Sequence, residues 1–140
     1  MKTLIVILAI TASLNAHSWG FNVEKETTKN EQRTDRQVCD KLRGYMEWST
    51  YDGAGLMRDE LEARGYLTPR EARGLLHGGY ASTGYTGFSV KALDCRFDLT
   101  RESTSQSGSR RYEWWTVYNA RTDVRRILSI NGVIESTYDY

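Results

Sequence analysis

The stretch "SVKALDCRFDLT", residues 89–100, decides the fold, because the chain changes periodicity there and the second of its two cysteines lies within it. Leu93, Cys95, Phe97 and Leu99 occupy alternate positions, with Asp94, Arg96 and Asp98 between them. Such alternation predicts a half-buried strand with one solvated face. Upstream the spacing is helical. "TDRQVCDKLRGYMEWS" (34–49) brings Val38, Leu42 and Tyr45, joined by Cys39 and Met46, onto one side, with Thr34 or Asp35 as N-cap. "TYDGAG" (50–55) predicts a break. "LMRDELEARG" (56–65) then predicts a second helix, with Met57, Leu61 and Arg64 on one side and Gly65 just past its end.

"YLTPREARGLL" (66–76) carries the clearest start signal. Thr68 caps, Pro69 takes the first helical position, Glu71 completes a capping box, and Ala72, Leu75 and Leu76 face inward. Downstream, "ESTSQSGS" (102–109) reads as a polar turn and "RRYEWWTVYN" (110–119) as an aromatic strand. "ARTD" (120–123) turns into "VRRILSI" (124–130), and Asn131-Gly132 predicts a tight hairpin into "VIESTYDY" (133–140), since both turn residues need positive φ. The expected class is α+β: two or three helices packed on one face of a four-stranded antiparallel meander. A Cys39–Cys95 disulfide would pin the first helix onto that sheet. The long loop it closes corresponds to about 4 kcal/mol in the chain-entropy picture.

The remaining N-terminal residues divide in two. Lys2, the apolar run at positions 4–12 and the small residues after it predict a signal peptide over residues 1–18, cleaved after Ser18, with Ala16 as the other cleavage point. Cys39 is the first cysteine, which leaves no lipid attachment near the cleavage site. Residues 19–33, including "KETTKNEQR", lack apolar periodicity and predict a flexible polar arm ahead of a single domain over 34–140. The expected location is periplasmic or secreted, with no stable membrane insertion after cleavage. Two cysteines in an oxidising compartment read as one structural bridge. With Lys2 removed the chain is formally neutral, which argues against nucleic acid as partner despite Arg110, Arg111, Arg121, Arg125 and Arg126.

Several chemistries fit poorly. "HGGYASTGYTGF" (77–88) is glycine-rich, but it runs from helix to strand and lacks a Gly-Lys-Ser/Thr ending, so it is no phosphate cradle. His77 is the only histidine after the signal segment; it would be the base of a small secreted hydrolase, but no Gly-x-Ser-x-Gly accompanies it. Asp94 and Asp98 share a face with Arg96 between them, a solvated ladder rather than a metal pair. No cofactor or metal is indicated. What the composition favours is recognition of a protein partner. Tyr80 and Tyr85 sit among small polar residues in the loop, and Tyr112, Trp114 and Tyr118 lie on one face of the aromatic strand with Trp115 on the other.

The order of elements resembles the small periplasmic BamE/SmpA-like proteins and the β-lactamase-inhibitor-protein fold. The residues that carry it are "LTPREARGLLHG" (67–78), similar to that family's Thr-x-x-Glu-Val-x-x-Leu-Leu-Gly helix, then "WWTVY" (114–118) and "INGVI" (130–134). The likeness extends over the last half to two-thirds of the chain. It differs in lacking a lipid-attachment cysteine and in the additional strand with Cys95. It implies an accessory, inhibitory or immunity-type protein that binds an envelope or secreted protein through its sheet and loops.

Overall fold

A computed structural model describes residues 21–77, 82–118 and 124–139. The first element is helix α1 (Val23–Asn30), followed by α2 (Asp35–Glu47) and α3 (Tyr51–Ala63). Next come α4 (Pro69–His77), a 3-10 turn (Ser82–Tyr85) and α5 (Val90–Arg96). Strands β1 (Asp98–Ser107), β2 (Arg110–Tyr118), β3 (Val124–Ile130) and β4 (Val133–Asp139) close the sequence. They pair antiparallel in the order β1-β2-β3-β4, so the α+β class with a four-stranded meander and one disulfide holds. Asn131 and Gly132 both take positive φ at the β3–β4 turn, as the hairpin signal requires.

α2 starts where its residues predict, on a capping box between Thr34 and Gln37, and buries Val38, Cys39, Leu42 and Met46. It ends in a Schellman motif: Ser49 adopts φ 57°, its N–H donates to Met46 and the Thr50 N–H donates to Tyr45. α3 therefore begins at Tyr51, and the expected break over 50–55 shrinks to Trp48, Ser49 and Thr50. Gly53 and Gly55 lie inside the helix. At Gly53 the Tyr45 ring stands 2.7 Å from where a Cβ would be, so the glycine permits close approach of α2 rather than ending α3.

The segment expected as a flexible arm is α1, and its packing is polar. Asn22 caps it, and Phe21 is buried edge-on to Tyr45 at 5.5 Å. The inward side chains are Glu26 and Asn30, both held by Arg33 at 2.9 and 3.0 Å. Arg64, the C-cap of α3, donates to the Asn30 and Arg33 carbonyls and pairs with Asp35 and Glu60. An apolar stripe was never needed, which is why periodicity did not reveal this helix. Burial alone would raise the Glu26 pKa, but Arg33, the Tyr45 hydroxyl and Lys29 together hold it below its ordinary value. Burial and the Glu26 charge push Tyr45 up to about 12.

The larger correction concerns residues 89–100, where the strand expected around Cys95 is helix α5. Ser89 caps it by accepting from the Ala92 N–H, while Val90, Ala92, Leu93, Cys95 and Arg96 are buried. Lys91 and Asp94, at helical spacing, face outward. The Cys39–Cys95 bond, with Cα atoms 4.7 Å apart, therefore joins helix to helix and not helix to sheet. Arg36 pairs with Asp94 at 2.8 Å and Arg43 donates to the Asp94 carbonyl, so with Cys39 three positions on successive turns of α2 grip α5. β1 then occupies most of what reads as a polar turn, and the turn itself contracts to Gly108 and Ser109, with Gly108 at φ 59°.

α4 agrees with its signature. The Thr68 N–H donates to the Glu71 carboxylate at 3.0 Å and the Glu71 N–H donates to the Thr68 hydroxyl oxygen at 3.2 Å. Glu71 also accepts from the Ser89 N–H at 2.7 Å and its hydroxyl at 2.8 Å, tying the start of α4 to the cap of α5. The core gathers Leu61, Leu75, Leu93 and Phe97 from the helical half and Val117, Ile127 and Ile134 from one sheet face.

Serine at both Cys39 and Cys95 is expected to cost about 4 kcal/mol in urea unfolding. A loss under about 1 kcal/mol would mean that the α2–α5 seam holds without its covalent bond. Burial alone would raise the Glu71 pKa, but the hydrogen bonds from Thr68 and Ser89 outweigh it and lower it. A depressed carboxylate stabilises the fold above its unfolded pKa, and that share vanishes as pH falls through the folded value. Glu71→Gln should therefore cost about 2 kcal/mol at pH 7, with the gap to the parent closing as unfolding is measured at progressively more acidic pH. A gap independent of pH would show that the carboxylate charge is not involved.

Candidate binding face

The pleat of β2 separates its aromatics. Glu113 and Val117 are buried on the side of the helices, where Trp115 also packs against the core. Tyr112, Trp114, Thr116 and Tyr118 point the other way. The main contacts of the helical half with the sheet are those of α5 on β1 and of the 3-10 turn on β4. Register then builds the outer face in rows: Ser105, Tyr112, Ile130 and Val133; Ser103, Trp114, Leu128 and Ser136; Thr100, Thr116, Arg126 and Tyr138. The first two rows are an aromatic and aliphatic surface, with Tyr112, Trp114, Leu128 and Ile130 half-buried and Val133 exposed.

Trp114 is the centre. The Arg126 guanidinium lies over its ring at 4.4 Å from the centroid, and the Tyr138 ring is 5.5 Å away. Arg126 is aimed by a carboxylate: a bulge between Arg101 and Ser103 turns Glu102 outward, where it accepts from Arg126 at 2.8 Å and from the Thr116 hydroxyl. Those two hydrogen bonds lower the Glu102 pKa. The guanidinium over the indole is thus held in place from within the sheet.

Of the residues singled out from sequence, Tyr112, Trp114 and Tyr118 share this face, Tyr118 with 60 % of its surface exposed. Trp115 does not. It packs on the core side, its Nε1 donating to Ser129 Oγ at 3.1 Å. Tyr85, expected in an exposed loop, is only 1 % exposed and sits edge-on to Phe88 and Phe97 at 5.8 and 5.7 Å. Its ring belongs to the core because the 3-10 turn folds onto β4. Tyr80 lies outside the described residues, as does the side chain of His77, the last residue of α4. Arg126 stood out only as one of a cluster of arginines, and Tyr138 and Glu102 were missed. The β2–β3 register, which puts Leu128 opposite Trp114 and Arg126 opposite Thr116, is not set by the Asn131-Gly132 turn, and bulges at Leu128–Ser129 and Arg101–Ser103 hide Tyr138 and Glu102.

Apart from this face, a concavity of about 660 Å³ runs along α2, lined by Gly44, Tyr45, Arg33, Gln37, Lys41 and Trp48. Trp48 is 82 % exposed. Of its two lining cations, Arg33 is engaged by Glu26 and Asn30. Among the described residues no group of three or more His, Cys, Asp or Glu converges as a metal site, and no helix is long and apolar enough to cross a membrane. No family model, curated protein or solved structure matches the chain, so function has to come from the chemistry of its own surfaces.

The two predicted ring sites should separate in stability measurements. Tyr85→Ala is expected to cost about 3–5 kcal/mol, as for other large core rings. Trp114→Ala, losing only cross-strand contacts, should cost about 1 kcal/mol or less. Equal losses in denaturant titrations would place Trp114 in the core and remove the outer face as a free surface.

Proposed function

We propose that the protein is an exported binding module that engages an envelope or secreted protein through the outer face of its sheet, in an accessory, inhibitory or immunity-type role. The observation that carries this reading is Trp114 held between Arg126 and Tyr138 in the middle of that face. Trp, Tyr and Arg are the residue types that dominate binding energy at protein interfaces. Side chains already fixed by Glu102 lose little further freedom on association. An apolar surface rimmed by polar groups marks an interaction site more often than bare exposure does.

The chemistry of the face favours binding over turnover. Its one well-placed carboxylate, Glu102, accepts hydrogen bonds from Arg126 and Thr116 and has a lowered pKa, whereas a general acid or base works best near the operating pH. The disulfide fits an oxidising compartment and so supports export. The resemblance to BamE/SmpA-like and β-lactamase-inhibitor-type proteins points to the same class of role.

Crosslinking capture from the native envelope or secreted fraction tests this with the parent protein and the folded variants Trp114→Ala and Arg126→Ala. A specific partner should be recovered with the parent, and its affinity should fall roughly thirtyfold with either variant, corresponding to about 2 kcal/mol at a binding hot spot. Capture that ignores both substitutions, or no capture at all, would sink the proposal.

A further inference from the structure

The two edges of the sheet are treated differently. Along β4 the chain straps the edge: Gly87 N–H donates to Ile134, Ile134 N–H to Phe88 and Val90 N–H to Gly132, all between 2.8 and 2.9 Å. Along β1 there is no strap. Every residue from Thr100 to Ser107 is exposed, and among the described residues their backbone groups have no partners beyond β2. Sheet edges are usually defended by lysine, proline or inward-facing charge. Past the bulge this edge reads Ser-Thr-Ser-Gln-Ser and carries none of the three.

We infer that β1 is the receiving edge for strand addition, and that its occupant is an extended segment of the partner protein with large apolar side chains alternating with acidic ones. The inference rests on the binding reading above and names how the partner docks. Its backbone part follows from the unpaired donors and acceptors of β1. Its side-chain part follows from what lies on each face beside that edge.

On the outer face the edge positions are Ser103 and Ser105, and behind them stand Trp114 and Tyr112. An added strand would lie two strand spacings, about 9.6 Å, from β2. A large side chain leaning over a serine can reach an indole or phenol at that separation. On the inner face the edge positions are Thr104 and Gln106, opposite Glu113 and Arg111 of β2, with Arg101 on the same face of β1. Both arginines pair with one carboxylate, Glu113, at 3.0 and 3.1 Å, which leaves one positive charge uncompensated and half-exposed. An acidic residue at the intervening positions of the added strand complements it.

A second copy of this chain fits less well. Two β1 edges side by side would match serine and threonine against serine and threonine. That buries little beyond backbone and falls well short of the roughly 1,000 Å² a specific interface needs.

The test uses the full, ¹⁵N-labelled protein and a capped decapeptide of alternating tyrosine and glutamate, read by amide hydrogen exchange. Binding should slow exchange of alternate amides across residues 103–107 by about tenfold or more, the level expected when free donors enter a ladder. The peptide with every amide N-methylated should give no protection, a tyrosine–lysine version should bind about tenfold more weakly, and Trp114→Ala should weaken the parent peptide. Protection that appears with protein concentration alone would assign the edge to a second copy and overturn the inference. Equal binding of the N-methylated peptide would also overturn it, by showing that side chains alone dock. If native capture depends on Trp114 while no peptide protects these amides, strand addition fails and the binding reading survives. If neither occurs, both fail.

Discussion

The seam between α2 and α5 governs what the rest of the molecule can do. Cys39 and Cys95 close it covalently, Arg36 grips the Asp94 carboxylate, and Arg43 takes the Asp94 carbonyl at the end of the short helix. Seven residues form a marginal helix in water on their own. Here the seam on one side and the Glu71–Ser89 bonds on the other hold α5 in place. Phe97 and Leu99 leave α5 directly into the sheet, and the Leu99 N–H donates back to Asp94. The position at which β1 begins, and with it the register of the meander, is therefore set from the helical half.

That dependence explains the division of labour across the sheet. Its inner face is apolar only near the helices, where Val117, Ile127 and Ile134 enter the core. Farther along the β1–β2 hairpin the inner face turns to Thr104, Gln106 and the Arg101–Glu113–Arg111 cluster. The rings that cannot be buried there are collected on the outer side, around Trp114. Core packing and the outer aromatic surface thus use opposite faces of the same strand, and alternating residues of β2 serve each in turn.

Much of this architecture is legible in the sequence where a local rule has a single solution. Thr34, the Thr68-Pro69-Glu71 signature, Gly65 and Asn131-Gly132 each fix a terminus or a turn by their own backbone chemistry. Residues 89–100 had two solutions. Leu93, Cys95 and Phe97 fit an alternation, while Val90, Leu93 and Phe97 fit a helix equally well, and seven residues are too few to separate the periods. The Ser89 cap and the outward pair Lys91 and Asp94 were the deciding signals. α1 escaped because its inward groups are Glu26 and Asn30, and β1 because serine and threonine on an edge look like a loop. At the candidate face the alternation of β2 was readable, but pairing Trp114 with Arg126 required the β2–β3 register, and adding Tyr138 and Glu102 required register through bulges in β3–β4 and β1.

Strand order also carries a consequence for how the chain reaches this state. Each strand pairs with its neighbour in sequence, so the sheet can grow by successive hairpins with short loops to close. The cystine is the distant link, 56 residues across. Two cysteines admit one pairing, so oxidation has a single intramolecular product and no shuffling of wrong bridges to undo. Once α2 and α5 have docked, the thiols already face one another, and oxidation records an arrangement that packing has chosen.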